Sequence, residues 1–317
     1  MRQFGSGRPL VVVAFGGNAL LQPQDDGSHG QQLRRAETAA KAIHNLTRRG
    51  FRVLCVHGNG PQVGQELIRS EEASTKLPIV PLDACVAATQ GTMGYLLELA
   101  LYNQSHALRI GTVLTLVEVA AHDPAFAKAS KPVGPFFPTH RAHELKRKQR
   151  WQMVEDAGRG WRKVVASPQP TGIINVEAID AMVSRMDVVI AGGGGGVPVV
   201  RSGGGKLFGV EAVIDKDRTA ALLGQVLGAA KLLIVTAVDR VALDFGKPTE
   251  RRIEQMTIAE AELHQADDQF PPGSMGPKVE AALQFARATG CPAVIGSVAH
   301  LGRMAGGRAG TRIVRGE

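Results

Sequence analysis

Cysteine is scarce in this chain: Cys55, Cys85 and Cys291 are the only three. They are far apart and odd in number, with no CxxC pair and no His/Cys cluster at metal-ligand spacing. That excludes a disulfide framework and a zinc module, and makes a reducing cytoplasm the default. Cys55 and Cys291 adjoin apolar runs and read as small core residues. Aromatic residues are also few, at 4%, so bases would find few rings to stack on and single-stranded nucleic acid is a poor partner. No apolar run approaches the roughly 18 to 20 residues that span a bilayer. The start, Met1 to Pro9, has no signal-peptide core or cleavage site. The expectation is a soluble, cytoplasmic protein with neither membrane nor nucleic acid as its partner.

What is present suits a globular protein. The 317 residues, 44% of them hydrophobic, make one large domain or two closely joined ones with ample core. Lys and Arg number 37 against 29 Asp and Glu, a formal charge of +8. The surplus is spread along the chain without a long basic tail, which fits anionic small molecules better than a polyanion.

Short β-branched runs alternate with helical stretches, the pattern of βαβ units around a parallel sheet. Strands are expected at Leu10 to Phe15, Phe51 to Val56, Gly111 to Val119, Val188 to Ala191, Val210 to Ile214, Leu232 to Thr236 and Ala293 to Ser297. Leu33, Ala36, Ala40, Ile43 and Leu46 recur at helical spacing, closed by Gly50. Further helices are expected over Gln62 to Ser70, Asp83 to His106 and Arg218 to Leu227. One stretch breaks the rhythm. From His122 to about Pro170 the chain is rich in proline and basic residues and reads as an excursion from the sheet. Its basic helix reads as a solvated face. Within it Pro132 and Pro135 hold Lys131 on a stiff loop.

Glycines carry the chemical signal. Gly16, Gly17 and Asn18 follow the first strand, Gly58, Asn59 and Gly60 the second, and Gly192 to Gly196 a later one. In a parallel sheet such turns fall at the carboxyl ends of strands, where backbone N–H groups can approach phosphate oxygens. The common nucleotide motifs are absent: Leu207 follows Gly205-Lys206 where a P-loop needs Ser or Thr, and Val197 takes the place of the last glycine of a dinucleotide fingerprint. Instead, Asp215-Lys216-Asp217 and Gly276-Pro277-Lys278 each open a helix. A cation at a helix N-terminus opposes the helix dipole unless an anion lies between them. Both lysines therefore read as functional.

The stretches VVVAFGGNAL, VHGNGPQVG, ATQGTMGY, SKPVGPFF, GRGWRKVVASPQP, GGGGGVPVV, GVEAVIDKD, FGKP and FPPGSMGPK are similar, in order and along nearly the whole chain, to the motifs of carbamate kinases. The resemblance implies an α/β fold of the amino acid kinase type, a three-layer αβα sandwich with a protruding subdomain, and a homodimer. It implies one domain over residues 1–317, with a phosphoacceptor half at 1–190 that holds the subdomain (about 122–170), and a nucleotide half at 191–317. The implied reaction is ATP plus carbamate giving ADP plus carbamoyl phosphate, with Mg²⁺ on the nucleotide; in the family the reverse direction often makes ATP.

By the same resemblance Gly16, Gly17, Asn18, Gly58, Asn59 and Gly60 bind the carbamoyl phosphate end, with Gly193 and Gly194 close by. Lys131 closes over it from the subdomain. Lys216 and Lys278 flank the phosphoryl group in transit, Asp215 orients those lysines, and Thr236, Ala237, Val238, Phe245 and Met275 serve the nucleotide. Phe245 stands where the family often has a tyrosine. No general base is required, since carbamate is already an anion, and His57 reads as a structural hydrogen-bonder. Two rivals remain open at this level: a carboxylate kinase of the same fold, such as an acetylglutamate kinase, and a silent nucleotide- or anion-binding protein. The serving pathway, whether arginine, agmatine or purine breakdown, is not encoded in these motifs.

Overall fold

The computed structural model describes residues 7–16, 27–155 and 160–316. At its centre is an eight-stranded sheet. Its strands are β1 (Leu10–Phe15), β2 (Arg52–His57), β3 (Ile110–Thr112), β4 (Val188–Ile190), β5 (Lys231–Thr236), β6 (Gln255–Thr257), β7 (Ala293–Ser297) and β8 (Thr311–Val314). They lie in the order β6-β8-β7-β5-β1-β2-β4-β3, and every neighbouring pair is parallel except β7 with β8. β1 and β2 are buried along their whole length, which is why they read as continuous apolar runs and not as an alternation.

The helices are α1 (His29–Arg48), α2 (Gly60–Glu72), α3 (Leu82–Gln104), α4 (Thr139–Gln149), α5 (Val176–Arg185), α6 (Lys216–Val226), α7 (Ile258–Ala266), α8 (Gly276–Thr289) and α9 (Leu301–Ala305). Val11, Val13 and Phe15 of β1 pack against α1, α3 and α9 through Ala36, Ile43, Met93, Leu97, Leu301 and Met304. Leu10, Val12 and Ala14 face the opposite core, which α5, α6 and α8 complete with Ile179, Leu223 and Phe285. The result is a three-layer αβα sandwich, the fold expected from the sequence.

Three expectations need correction. Gly111 to Val119 is two strands: β3 in the main sheet, and Leu116–Val119 in a second sheet of order Leu207–Gly209, Val197–Arg201, Leu116–Val119, Pro170–Ile173. The chain leaves one sheet for the other between Thr112 and Leu116, a change of partner that an apolar run does not reveal. Val210 to Ile214 forms no strand beyond a single bridge from Ala212 to Ala166. Ala212, Val213 and Ile214 are buried as irregular chain leading into α6. Lys131–Phe137 is a strand despite Pro132 and Pro135. It lies at the edge of a three-stranded antiparallel sheet with Trp161–Val165 and Met153–Glu155, and its register breaks between Val133 and Phe137. An edge strand with an irregular register tolerates the missing N–H groups.

This small sheet and α4 form a unit inserted between Asp123 and Gln169, whose ends are joined where Gln169 N donates to Asp123 Oδ2 (2.9 Å). It is docked on α2 backbone to backbone: a Cβ built on Gly64 would lie 1.9 Å from Gly134 Cα. Arg141 of α4 adds ion pairs to Glu71 (2.8 Å) and Glu72 (3.0 Å) at the end of α2. The docking brings Lys131 to the carboxyl edge of the main sheet.

Candidate active site

β5, β1, β2 and β4 are consecutive in the sheet, so the turns that follow them share one edge. Gly16 follows β1; Gly17 and Asn18 lie outside the described residues. The N–H of Gly58 donates to Phe15 O (3.0 Å), tying the second turn to the end of β1. Asn59 is 2% exposed, and its Nδ2 donates to Thr89 Oγ1 of α3 (2.7 Å). Gly60 opens α2 with Pro61 in its first turn.

The third turn presses directly on the second. Gly192, Gly194, Gly195 and Gly196 all have positive φ, the left-handed region that favours glycine. A Cβ on Gly194 would stand 2.2 Å from Asn59 Nδ2, and one on Gly193 would stand 2.5 Å from His57 Nε2. The loop is pinned from both sides: Gly192 N donates to Thr115 Oγ1 (2.8 Å), and Thr219 Oγ1 of α6 donates to Gly195 O (2.7 Å). Its internal turns use the N–H groups of Gly195 and Gly196 and leave those of Gly193 and Gly194 outside these bonds. Glycine is therefore required here by close approach as well as by backbone angle.

Three lysines from three distant stretches converge on two aspartates. Asp215 caps α6, its Oδ1 accepting from Asp217 N (2.9 Å), while its Oδ2 accepts from Lys131 Nζ (2.6 Å). Asp217, 1% exposed, accepts from Lys216 Nζ on Oδ1 (2.6 Å) and from Lys278 Nζ on Oδ2 (3.3 Å). Asp215, expected to orient Lys216 and Lys278, is thus hydrogen-bonded to Lys131, and the carboxylate between the other two lysines is Asp217. Capping turns the Asp215 side chain back over the helix end; Asp217, two residues on, faces α8. In the sequence Asp217 stands out only as part of the Asp-Lys-Asp run. The signal that could have singled it out was the electrostatic conflict of two lysines at helix N-termini, which requires a fixed anion.

Charge decides the character of this cluster. Burial alone would raise the Asp215 carboxyl, but the ammonium groups of Lys131 and Lys216 outweigh it and hold it well below the usual carboxylate range. Three ammonium groups against two carboxylates leave one net positive charge. Each of the four aspartate oxygens accepts a hydrogen bond from within the cluster. The cluster is built to receive an anion.

The residues expected to serve the nucleotide come from β5, the start of α8 and the turn at Asp244. Thr236 ends β5, with Ala237 and Val238 next; Met275 caps α8 three residues before Lys278 and packs on the core. Phe245 is 66% exposed, on a turn where Asp244 has φ +51° and accepts from Lys247 and Thr249. A groove of about 530 Å³ along α7 and α8, lined by Gln169, Glu262, Glu280 and Arg287, contains none of the three lysines.

These features place the chain among known proteins. The profile of the amino acid kinase family matches residues 9–297. Carbamate kinase 1 of Enterococcus faecium is 44% identical over 302 residues, covering 93% of this chain and 96% of that one. The chain belongs to the carbamate kinases of the amino acid kinase family. Within that family, the carbamate kinase-like protein YahI of Escherichia coli (strain K12) is 41% identical over 314 residues, covering 97% of this chain and 99% of its own. Among solved structures, carbamate kinase from Giardia lamblia bound to AMP-PNP superposes with a TM-score of 0.91 at 36% identity, covering 98% of this chain and 99% of that one. UMP kinase from Bacillus anthracis, at 15% identity and a TM-score of 0.53, shares the fold alone.

Proposed function

We propose that this carbamate kinase family member transfers a phosphoryl group reversibly between ATP and carbamate, giving ADP and carbamoyl phosphate. The observation that carries the reading is the Asp217 bridge, a buried carboxylate that fixes Lys216 and Lys278 at the starts of two separate helices. In phosphoryl transfer negative charge spreads over the equatorial oxygens, and the protein contributes positioning and neutralisation. Two ammonium groups held in fixed directions beside two helix N-termini supply both without reorganising. The glycine turns at Gly16, Gly58 to Gly60 and Gly193 to Gly194 hold the carbamoyl phosphate end, as do Gly17 and Asn18.

Lys131 arrives from the inserted unit and is hydrogen-bonded to Asp215. A bound carbamoyl phosphate offers its ammonium a second anion, so Lys131 closes over the substrate from the docked unit and helps exclude water. Thr236 to Val238, Met275 and Phe245 border the nucleotide. Among the described residues there is no group of three or more His, Cys, Asp or Glu side chains that could hold a metal, and both site aspartates are occupied by lysines. Mg²⁺ would therefore enter on the nucleotide phosphates, with few protein ligands, and neutralise charge there.

The working unit is proposed to be a homodimer in the cytoplasm. Tyr95 and Tyr102 of α3 with Leu114 and Leu77 are large exposed apolar groups, of the kind a second copy would cover. Among the described residues no helix is long and apolar enough to cross a membrane. ATP formation from MgADP and carbamoyl phosphate tests the reading, with acetylglutamate and MgATP run beside it. Turnover of acetylglutamate at an equal rate would favour the related carboxylate kinase, and no turnover of either by folded protein would favour a silent binding protein.

A further inference from the structure

His57 is the last residue of β2, immediately before the Gly58-Asn59-Gly60 turn. Its side chain is 1% exposed. Nδ1 lies 3.1 Å from Gly58 O, and a carbonyl oxygen can only accept, so Nδ1 carries the proton and Nε2 carries the lone pair. No hydrogen bond reaches Nε2 among the described residues. That edge of the ring faces Gly193, where a Cβ would stand 2.5 Å from Nε2 and 2.7 Å from Cε1, with Gln90 Cγ as the next neighbour. Neither Gly193 nor Gln90 titrates. Burial pushes the imidazole down to about 4, opposed only by the bond to Gly58, so the ring stays neutral at physiological pH.

The surroundings give this lone pair its meaning. A pocket made of ammonium groups and backbone N–H groups consists of donors, which suits phosphate and carboxylate oxygens. Carbamate differs from acetate and bicarbonate by an amino group, which donates and would be repelled by such a pocket. We propose that Nε2 of His57 is the acceptor that reads the amino group of carbamate and carbamoyl phosphate, which makes His57 the residue that sets acceptor specificity. The inference rests on the carbamate kinase reading above. Glycine at 193 then has a second purpose, because any side chain there would cover Nε2.

The test compares two phosphoryl donors to MgADP that differ only in this group, carbamoyl phosphate (NH₂) and acetyl phosphate (CH₃). His57→Leu should lower kcat/KM for carbamoyl phosphate about ten- to hundredfold, the loss expected when a buried N–H is left without an acceptor, and leave that for acetyl phosphate within about threefold. His57→Gln, which keeps an acceptor oxygen at similar reach, should retain most of the preference. An equal fall for both donors, or an unchanged ratio in His57→Leu, overturns the assignment. If His57→Leu does not fold, His57→Phe, which fills the ring's space without an acceptor, decides by the same ratio: a fall confined to carbamoyl phosphate is expected, and an unchanged ratio overturns the assignment. Absence of carbamoyl phosphate turnover in the wild type is a different result, and defeats the enzyme reading itself.

Discussion

Asp217→Asn removes one charge and almost no volume from the centre of the site, so its effects can be worked through. An amide has one acceptor oxygen in place of two, and its NH₂ would point a donor at the second ammonium. Lys216 and Lys278, with side chains 10% and 18% exposed, would then have one acceptor oxygen between them. Removing one partner of a buried ion pair costs about 3–5 kcal/mol, and the exposure of Lys278 places the expected loss of stability at the lower end of that range. The lysines would also lose their fixed directions. Loss of one preorganised transition-state donor costs roughly 10²–10³ in kcat, and misdirecting two should reach the upper part of that range. Bound phosphate oxygens can replace the missing charge, so the stability gap between wild type and variant should narrow in MgADP with carbamoyl phosphate. A coupled ATP-formation assay and thermal melting with and without ligands measure both effects. A variant that keeps kcat within about twofold, or melts like the wild type in the absence of ligand, would refute the bridge as the organiser of the site.

Lys131→Ala should raise the Kd for carbamoyl phosphate and slow turnover while sparing ADP binding, and Lys131→Arg should not rescue it, since a planar fork cannot replace a compact ammonium in a tight pocket. Equal weakening of ADP, measured by calorimetry, would show that Lys131 serves the other substrate. Gly64→Ala should undock the inserted unit, because its Cβ would fall 1.9 Å from Gly134 Cα; kcat should drop at least about tenfold, and a wild-type rate would mean that the contact relaxes without consequence. Phe245→Tyr should leave kcat nearly unchanged and shift nucleotide affinity by at most about 1 kcal/mol, the net worth of one hydrogen bond, as read from KM for ADP.

The parallel core was legible because β1, β2 and β5 are short apolar, β-branched runs, and the glycine turns after β1 and β2 fall where a parallel sheet puts ligands. The lysines were legible because a cation at a helix start has no purely structural reason to be there. What stayed hidden depended on three-dimensional neighbours. The switch of sheets after Thr112 and the edge position that tolerates Pro132 are set by strand order, which local pattern does not encode. The division of labour between Asp215 and Asp217 follows from capping geometry: the two residues are adjacent to the same lysine in sequence, and only the direction of each side chain tells which ammonium it holds. The contact of His57 with Gly193 joins β2 to the loop after β4, 136 positions later in the chain.

The most direct measurement of the central claim is the rate of ATP formation by purified protein given MgADP and carbamoyl phosphate, with MgATP and acetylglutamate as the parallel reaction. Rapid ATP formation in the first, abolished by Lys216→Ala, together with negligible turnover in the second, is the predicted result. Folded protein that binds ADP yet forms no ATP from carbamoyl phosphate would contradict it.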